Sequence, residues 1–266
     1  MSTNKRTRFV QVLVVMLVII SLILVASGCS TPETGDASES SENAGPLQLF
    51  VAAGMKKPMD AVIEKFQAEK GVKVAPNYAS SGGLWAQIRE EQPCDLYYSA
   101  DWMYIEKAQQ EDKLTEAKEF LSDCLVLVVS DSGDGKVNSM DDLTNPDVTF
   151  AIGDPQAPVG MYAETALKSL SLWDKVTDTL KAMPSTVNQV AIMVKEDQVD
   201  AGLIYSSVAN GNDLKIVQRL EEDLTGEIIF GVGVIKGGNE ELAKEFMDFA
   251  FEHVDEFCSY GWEPYE

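Results

Sequence analysis

A single histidine, His253, stands in a chain of 266 residues, among the polar positions of a C-terminal helical pattern. Histidine-based triads and histidine-rich metal centres therefore have no material to work with, and His253 is expected at the surface. Cysteine is nearly as scarce: Cys29, Cys94, Cys124 and Cys258 form no CxxC pair, so neither a disulfide framework nor a cysteine metal site is indicated. One pair among the last three could join outside the cell, and the sequence does not say which. Basic residues are outnumbered 21 to 43, giving a formal charge of -22. Such a surface repels nucleic acid and anionic lipid, and it would repel a small anion at long range, so any anion site must act through local donors. There is also no P-loop, no nucleophile elbow and no cluster of cation ligands. Asp95 and Asp154 have no evident acid–base partner and read as turn or capping residues. No enzyme, no cofactor and no internal repeat is expected.

Only one long apolar run is present, from Phe9 to Val25, and it sits between Lys5, Arg6 and Arg8 on one side and Ala26-Ser27-Gly28-Cys29 on the other. Basic start, apolar middle and small-residue end describe an export signal over 1–28, and the run is short for a bilayer span. The last four residues resemble a bacterial lipobox, with Ala26 in place of the usual leucine. That resemblance implies lipidation of Cys29 and anchoring of the mature chain to the cell membrane. Ser30 to Pro46 reads STPETGDASESSENAGP, without a large apolar residue, so 29–46 is expected to be the lipidated cysteine and a flexible linker. From Leu47 onward roughly 220 residues remain, enough for one large domain or two small ones.

Short apolar runs alternate with helical patterns through this body. Leu47 to Ala53, Val72 to Ala79, Asp95 to Ala100, Cys124 to Ser130, Val148 to Ile152, Ala201 to Ser206 and Ile228 to Ile235 read as buried strands. Met59, Val62, Ile63 and Phe66 recur at helical spacing, with Pro58 suited to a first turn and Gly71 to a stop. This alternation predicts an α/β fold with helices on both sheet faces. The segment between Cys124 to Ser130 and Ile228 to Ile235 is long enough to fold as a lobe, which predicts two lobes: 47–127 with 227–266, and 128–226. Two crossing strands would form a hinge.

Four strand-to-helix junctions share a composition: Ala52-Ala53-Gly54-Met55, Ala79 to Gly83, Ala157 to Met161 and Ser185 to Asn188. Small or hydroxyl-bearing residues before a helix are ordinary caps. They also leave first-turn N–H groups free at the positive end of the helix dipole, where anions bind. In open α/β sheets such ends gather at one cleft. From the residues alone, an anion or carboxylate binder is the furthest reading.

The segments AAGM at Ala52, ASSGGLWAQI at Ala79, CDLYYSAD at Cys94, AIGDPQAPVGMYAETAL at Ala151 and DAGLIYSS at Asp200 resemble the periplasmic molybdate-binding proteins of ABC transporters, in order and nearly in spacing. The resemblance covers essentially all of Leu47 to Tyr265. It implies a type II periplasmic-binding-protein fold, two α/β lobes joined by two hinge strands. It implies a monomer that captures molybdate or tungstate outside the cytoplasm and delivers it to a membrane permease, with no cation ligands. Matched by motif, the oxyanion contacts fall on Gly54, Ser81, Val159, Val187 and Tyr205: hydroxyl and amide from Ser81, amides from Val159 and Val187, phenol from Tyr205. Gly54 departs from the family's serine and removes one hydroxyl donor, though its amide remains; Lys56 and Lys57 follow it and are expected in solvent. Sulfate, chromate or a small carboxylate as ligand, and a sensor or enzyme on the same scaffold, stay open at this point.

Overall fold

A computed structural model describes residues 45–265. The expected export signal, Cys29 and nearly all of the linker lie outside the described residues. Among the described residues no helix is long and apolar enough to cross a membrane.

The first sheet begins with β1 (Leu47–Ala52), β2 (Val74–Ala79) and β3 (Leu96–Ser99), where β1 lies parallel to both neighbours. Their connections are helices, as parallel pairing requires: α1 (Lys56–Lys70) and α2 (Ser81–Arg89), followed after β3 by α3 (Trp102–Gln110). β1 alternates its side chains between two packed layers. Leu47, Leu49 and Val51 join the cluster with Met59, Val62 and Phe66 of α1, and Phe50 joins the one with Leu84, Trp85, Ile88 and Ile105. Pro58 lies in the first turn of α1, and Gly71 ends that helix in the left-handed region at φ 70°.

β4 (Leu114–Asp123) and β10 (Ile228–Ile235) complete this sheet with β11 (Glu263–Pro264), in the order β11-β4-β10-β3-β1-β2. The helices α8 (Glu240–Glu252) and α9 (Asp255–Cys258) cover it, with Phe66 packed edge-on against Phe246 and Phe249. His253 is half-buried rather than on the open surface. Its ring stacks on Phe249 at 4.1 Å and its Nδ1 lies 2.9 Å from the Phe249 carbonyl one turn earlier.

The second sheet runs β7-β6-β8-β5-β9. It comprises β5 (Leu125–Val129), β6 (Phe150–Ala151), β7 (Leu180–Ala182), β8 (Ala201–Tyr205) and β9 (Lys215–Arg219). Its helices are α4 (Pro158–Ser169), α5 (Val187–Lys195), α6 (Ser206–Gly211) and the short α7 (Glu222–Thr225). The expected division between Leu127 and Val128 does not match the sheets. All five residues of β5 pair with β8 and Val126 to Val129 pair with β9 as well, because cutting a buried strand would strand its hydrogen bonds, and the chain leaves the first sheet at Cys124 instead. It returns between Arg219 and Ile228.

Asp123, the last residue of β4, marks that crossing. Its Oδ1 accepts the Ser206 hydroxyl and the Cys124 N–H, both at 2.7 Å, while its buried Oδ2 has no partner among the described residues. Burial raises this carboxyl to about 6, above the ordinary value near 4. The folded chain then binds a proton more tightly than the unfolded chain. The native state loses stability through this group as pH rises from about 4 to about 6, and the cost is complete above that. Asp123→Asn removes the titration. In urea unfolding the variant should gain on the parent by roughly 2–3 kcal/mol across that interval and hold a constant difference above it; a difference that does not change with pH would mean that the carboxyl is not raised.

Candidate functional site

The four junctions meet. Gly54 sits in a single 3₁₀ turn, Ala53–Met55, between β1 and α1, and Ser81 is the first residue of α2. Val159 is the second residue of α4, Val187 the first of α5, and Tyr205 the last of β8. Together they line one small cavity between the sheets, about 270 Å³ of empty space with its mouth included. Ala52, Ala53, Ala79, Ser80, Ala100, Ala157, Pro158, Ser185 and Thr186 complete its wall.

Each junction supplies donors for the same reason. A residue in the first turn of a helix has no carbonyl four places earlier, so its N–H lacks an intrahelical partner. At α2 and α5 the cap is made by the residue just before: Ser80 Oγ accepts the Gly83 N–H at 3.2 Å, and Thr186 with Gln189 forms a reciprocal capping box. Capping and donation are thereby divided between neighbours. Ser80 and Thr186 hold the helix ends, and the amides of Ser81 and Val187 remain at the cavity. At α4, Pro158 opens the helix and has no N–H to satisfy, leaving the Val159 amide as the donor of that turn.

Ser81 is held by β3. The Tyr97 hydroxyl donates to its carbonyl at 2.8 Å, and the Ala100 N–H donates to its Oγ at 2.9 Å. With one lone pair of Oγ occupied, the hydroxyl hydrogen is free to point into the cavity. Tyr205 packs edge-on against Phe230 of β10 at 5.2 Å, and its hydroxyl reaches the Ala100 carbonyl only at 3.5 Å, a contact too long to tie it down. Burial first, then the neighbouring Tyr162, Asp101 and Asp123, drive its phenol well above the ordinary range, so the proton stays on. Asp101 caps α3, its Oδ1 accepting the Met103 N–H at 2.7 Å, and burial raises its carboxyl too.

No lysine or arginine lines the cavity. Lys56 pairs with Asp60 at 2.6 Å, and Lys57 donates to the Gly211 carbonyl; both line a neighbouring groove that shares Gly54. Every donor facing the cavity is therefore uncharged. Asp95 is structural: Oδ2 accepts the Gln48 N–H and Oδ1 the Asn239 N–H, each at 2.7 Å, and Asp154 Oδ1 accepts the Gln156 N–H of its own turn at 2.8 Å. Cys94, Cys124 and Cys258 are free thiols. Among the described residues no group of histidine, cysteine and carboxylate side chains could hold a cation. Sequence reading missed Tyr97 and Ala100, which orient the donors from behind. The only sequence signal for them is that Ser99-Ala100-Asp101 ends a strand at the same sheet edge as the other junctions.

Residues 47–262 match the model of a family described as bacterial extracellular solute-binding protein. The molybdate-binding protein ModA of Escherichia coli strain K12 is 30% identical over 214 residues, which make up 77% of this chain and 83% of that protein. The Bacillus subtilis protein YvgL, by name a candidate ABC transporter substrate-binding lipoprotein, is 29% identical over 251 residues, 91% of this chain and 95% of its own. Among solved structures, the periplasmic molybdate-binding protein of Azotobacter vinelandii superposes with a TM-score of 0.74 at 21% identity, covering 83% of this chain and all of that one. With two mixed α/β sheets, a cleft cavity walled by helix starts from both, and a family match spanning nearly all the described residues, the chain belongs to the bacterial extracellular solute-binding proteins.

Proposed function

We propose that this protein captures a tetrahedral oxyanion, molybdate or tungstate, in the cavity between its lobes and delivers it to the permease of an ABC transporter. The observation that carries the reading is the convergence on one cavity of uncharged donors from both sheets, with no cation in the wall. Such an array stabilises a dianion by dipoles alone and offers no acceptor to a protonated oxyanion. The similarity to molybdate-binding relatives supports the choice of anion. Gly54, Ser81, Val159, Val187 and Tyr205 make the contacts: amides from the first four, hydroxyls from Ser81 and Tyr205.

The protein works as a monomer outside the cytoplasm, anchored through lipid on Cys29 and tethered by the linker that follows. Ligand contacts to both lobes stabilise the closed cleft, and the closed form docks on the permease. Gly54 leaves the ligand one hydroxyl fewer on the side of the first sheet. The choice among molybdate, tungstate and sulfate is therefore set by the remaining donors and the size of the closed cavity.

Calorimetric titration against molybdate, tungstate, sulfate, chromate and small carboxylates tests the reading directly. Heat from molybdate or tungstate at the lowest dissociation constant is expected, and silence from both with heat from another solute would replace the ligand. Ser81→Ala and Tyr205→Phe each remove a hydrogen bond to a charged group, worth roughly 1.5–3 kcal/mol, so each should weaken binding about tenfold to a hundredfold. Val187→Pro probes a backbone donor. Proline is tolerated at the first position of a helix, and Thr186 before it is already extended at φ -133° and ψ 149°, so the variant should fold while losing one amide and about tenfold in affinity. Cys29→Ser should shift the protein from the membrane fraction of expressing cells to the soluble one; unchanged partition would exclude the anchor.

A further inference from the structure

Several hydrogen bonds cross between the lobes, among them Lys57 to the Gly211 carbonyl and Asn210 to the Tyr260 carbonyl, and two more lie on the flanks of the cavity without facing it. On one flank the hydroxyl of Tyr104, in α3 of the first lobe, donates to the carbonyl of Gln156, in the loop before α4, at 2.9 Å. On the other, the carboxamide of Asn188, in α5, donates to the carbonyl of Ala53, in the turn after β1, at 2.7 Å. Both acceptors are backbone atoms, and burial raises the Tyr104 phenol above its ordinary value, so it keeps the proton it donates at neutral pH.

Beside each bond stands a glycine of the first lobe with the second lobe pressed against it. A Cβ on Gly82 would lie 2.6 Å from the Tyr104 hydroxyl and 2.8 Å from the Gln156 carbonyl. A Cβ on Gly54 would lie 3.2 Å from a methyl of Val187 and 3.4 Å from one of Val208. Neither glycine has a positive φ. At Gly82 the approach of the other lobe's backbone demands glycine, whereas at Gly54 the methyls of Val187 and Val208 would have to give by a few tenths of an ångström.

We propose that Tyr104 and Asn188 are latches that hold the cleft closed without touching the anion, and that Gly82 and Gly54 set how far it can close. The proposal rests on the reading of the cleft as one that opens and closes around its ligand. Because the latches need no ligand, they populate the closed form in its absence. Apparent affinity is the intrinsic affinity multiplied by the fraction already competent to bind, so the latches raise affinity for every anion by one common factor. They do not discriminate between anions; the donors in the cavity do. Each latch, at the net value of an ordinary hydrogen bond, changes the ratio of closed to open by roughly twofold to tenfold.

The test compares the parent, Tyr104→Phe, Asn188→Ala, their double variant and Gly82→Ala, by small-angle X-ray scattering without anion and by calorimetry with molybdate and with tungstate. The latch variants should scatter with a larger radius of gyration than the parent, and both dissociation constants should rise by the same factor with their ratio unchanged. The double variant should lose at least the product of the single losses, because each latch removed leaves a smaller closed fraction for the next to act on. Gly82→Ala should lose more than tenfold, because its methyl meets a backbone oxygen that cannot rotate away. Thermal melting of each anion-free variant checks that it folds. A double variant with parental scattering and affinity overturns the latches; a change in the molybdate-to-tungstate ratio overturns their separation from the binding wall; Gly82→Ala binding like the parent overturns the gauge. If the parent binds neither anion, the proposed ligand fails while the anion-free scattering still decides the latches.

Discussion

Backbone N–H groups that a helix cannot satisfy for itself must find another partner, and this fold collects them in one place. The turn before α1 and the starts of α2, α4 and α5 lie at strand ends that face the other lobe, so Gly54 and the first-turn residues Ser81, Val159 and Val187 line a shared cavity. The arrangement of the site follows from that requirement. Ser80 and Thr186 take the capping role, Pro158 removes a donor that would otherwise be unsatisfied, and the amides of Ser81, Val159 and Val187 remain. Apolar walls from Val159, Val187 and the alanines keep the local dielectric low, which strengthens the dipoles that face inward.

The chain's acidity becomes intelligible in these terms. A surface with 43 carboxylates to 21 basic residues opposes an approaching anion over distances comparable to the screening length, about 8 Å at physiological salt. Inside the cleft the attraction has to come from fixed dipoles at contact range. The two nearby cations are engaged elsewhere, Lys56 with Asp60 and Lys57 with a helix-end carbonyl. Tyr205 keeps its proton at neutral pH because burial pushes its phenol well above the ordinary range.

Tyr205 also ties the cavity to the crossing between the lobes. The residue after it, Ser206, donates to Asp123 at the end of β4, and its ring rests on Phe230 of β10 in the other sheet. Binding wall, crossing and first-lobe core are thus in direct contact, and the bonds of Tyr104 and Asn188 close the seam on the cavity's two flanks. Packed contacts of this kind favour discrete arrangements over continuous deformation.

Much of this was legible in the residues. Alternating apolar runs and helical periods marked seven of the strands, and Pro58 and Gly71 bracketed α1, because periodicity and capping are short-range properties. Strand β4 escaped notice: its TEAKE stretch is charged and half-exposed, and only pairing with β10 makes it extended. The junction composition located free donors, and the family resemblance named Gly54, Ser81, Val159, Val187 and Tyr205. Tyr104 lies outside the junctions and the matched segments, and Tyr97, Ala100 and Asn188 lie inside them without standing out, since an ordinary tyrosine, alanine or asparagine reads the same wherever it points. By itself the sequence determined which backbone donors are left unpaired, because that depends on where each helix begins, a property of adjacent residues. Only the tertiary structure decided that they meet, which side chains hold them and where the lobes touch, because those depend on strand order and on contacts between residues tens of positions apart.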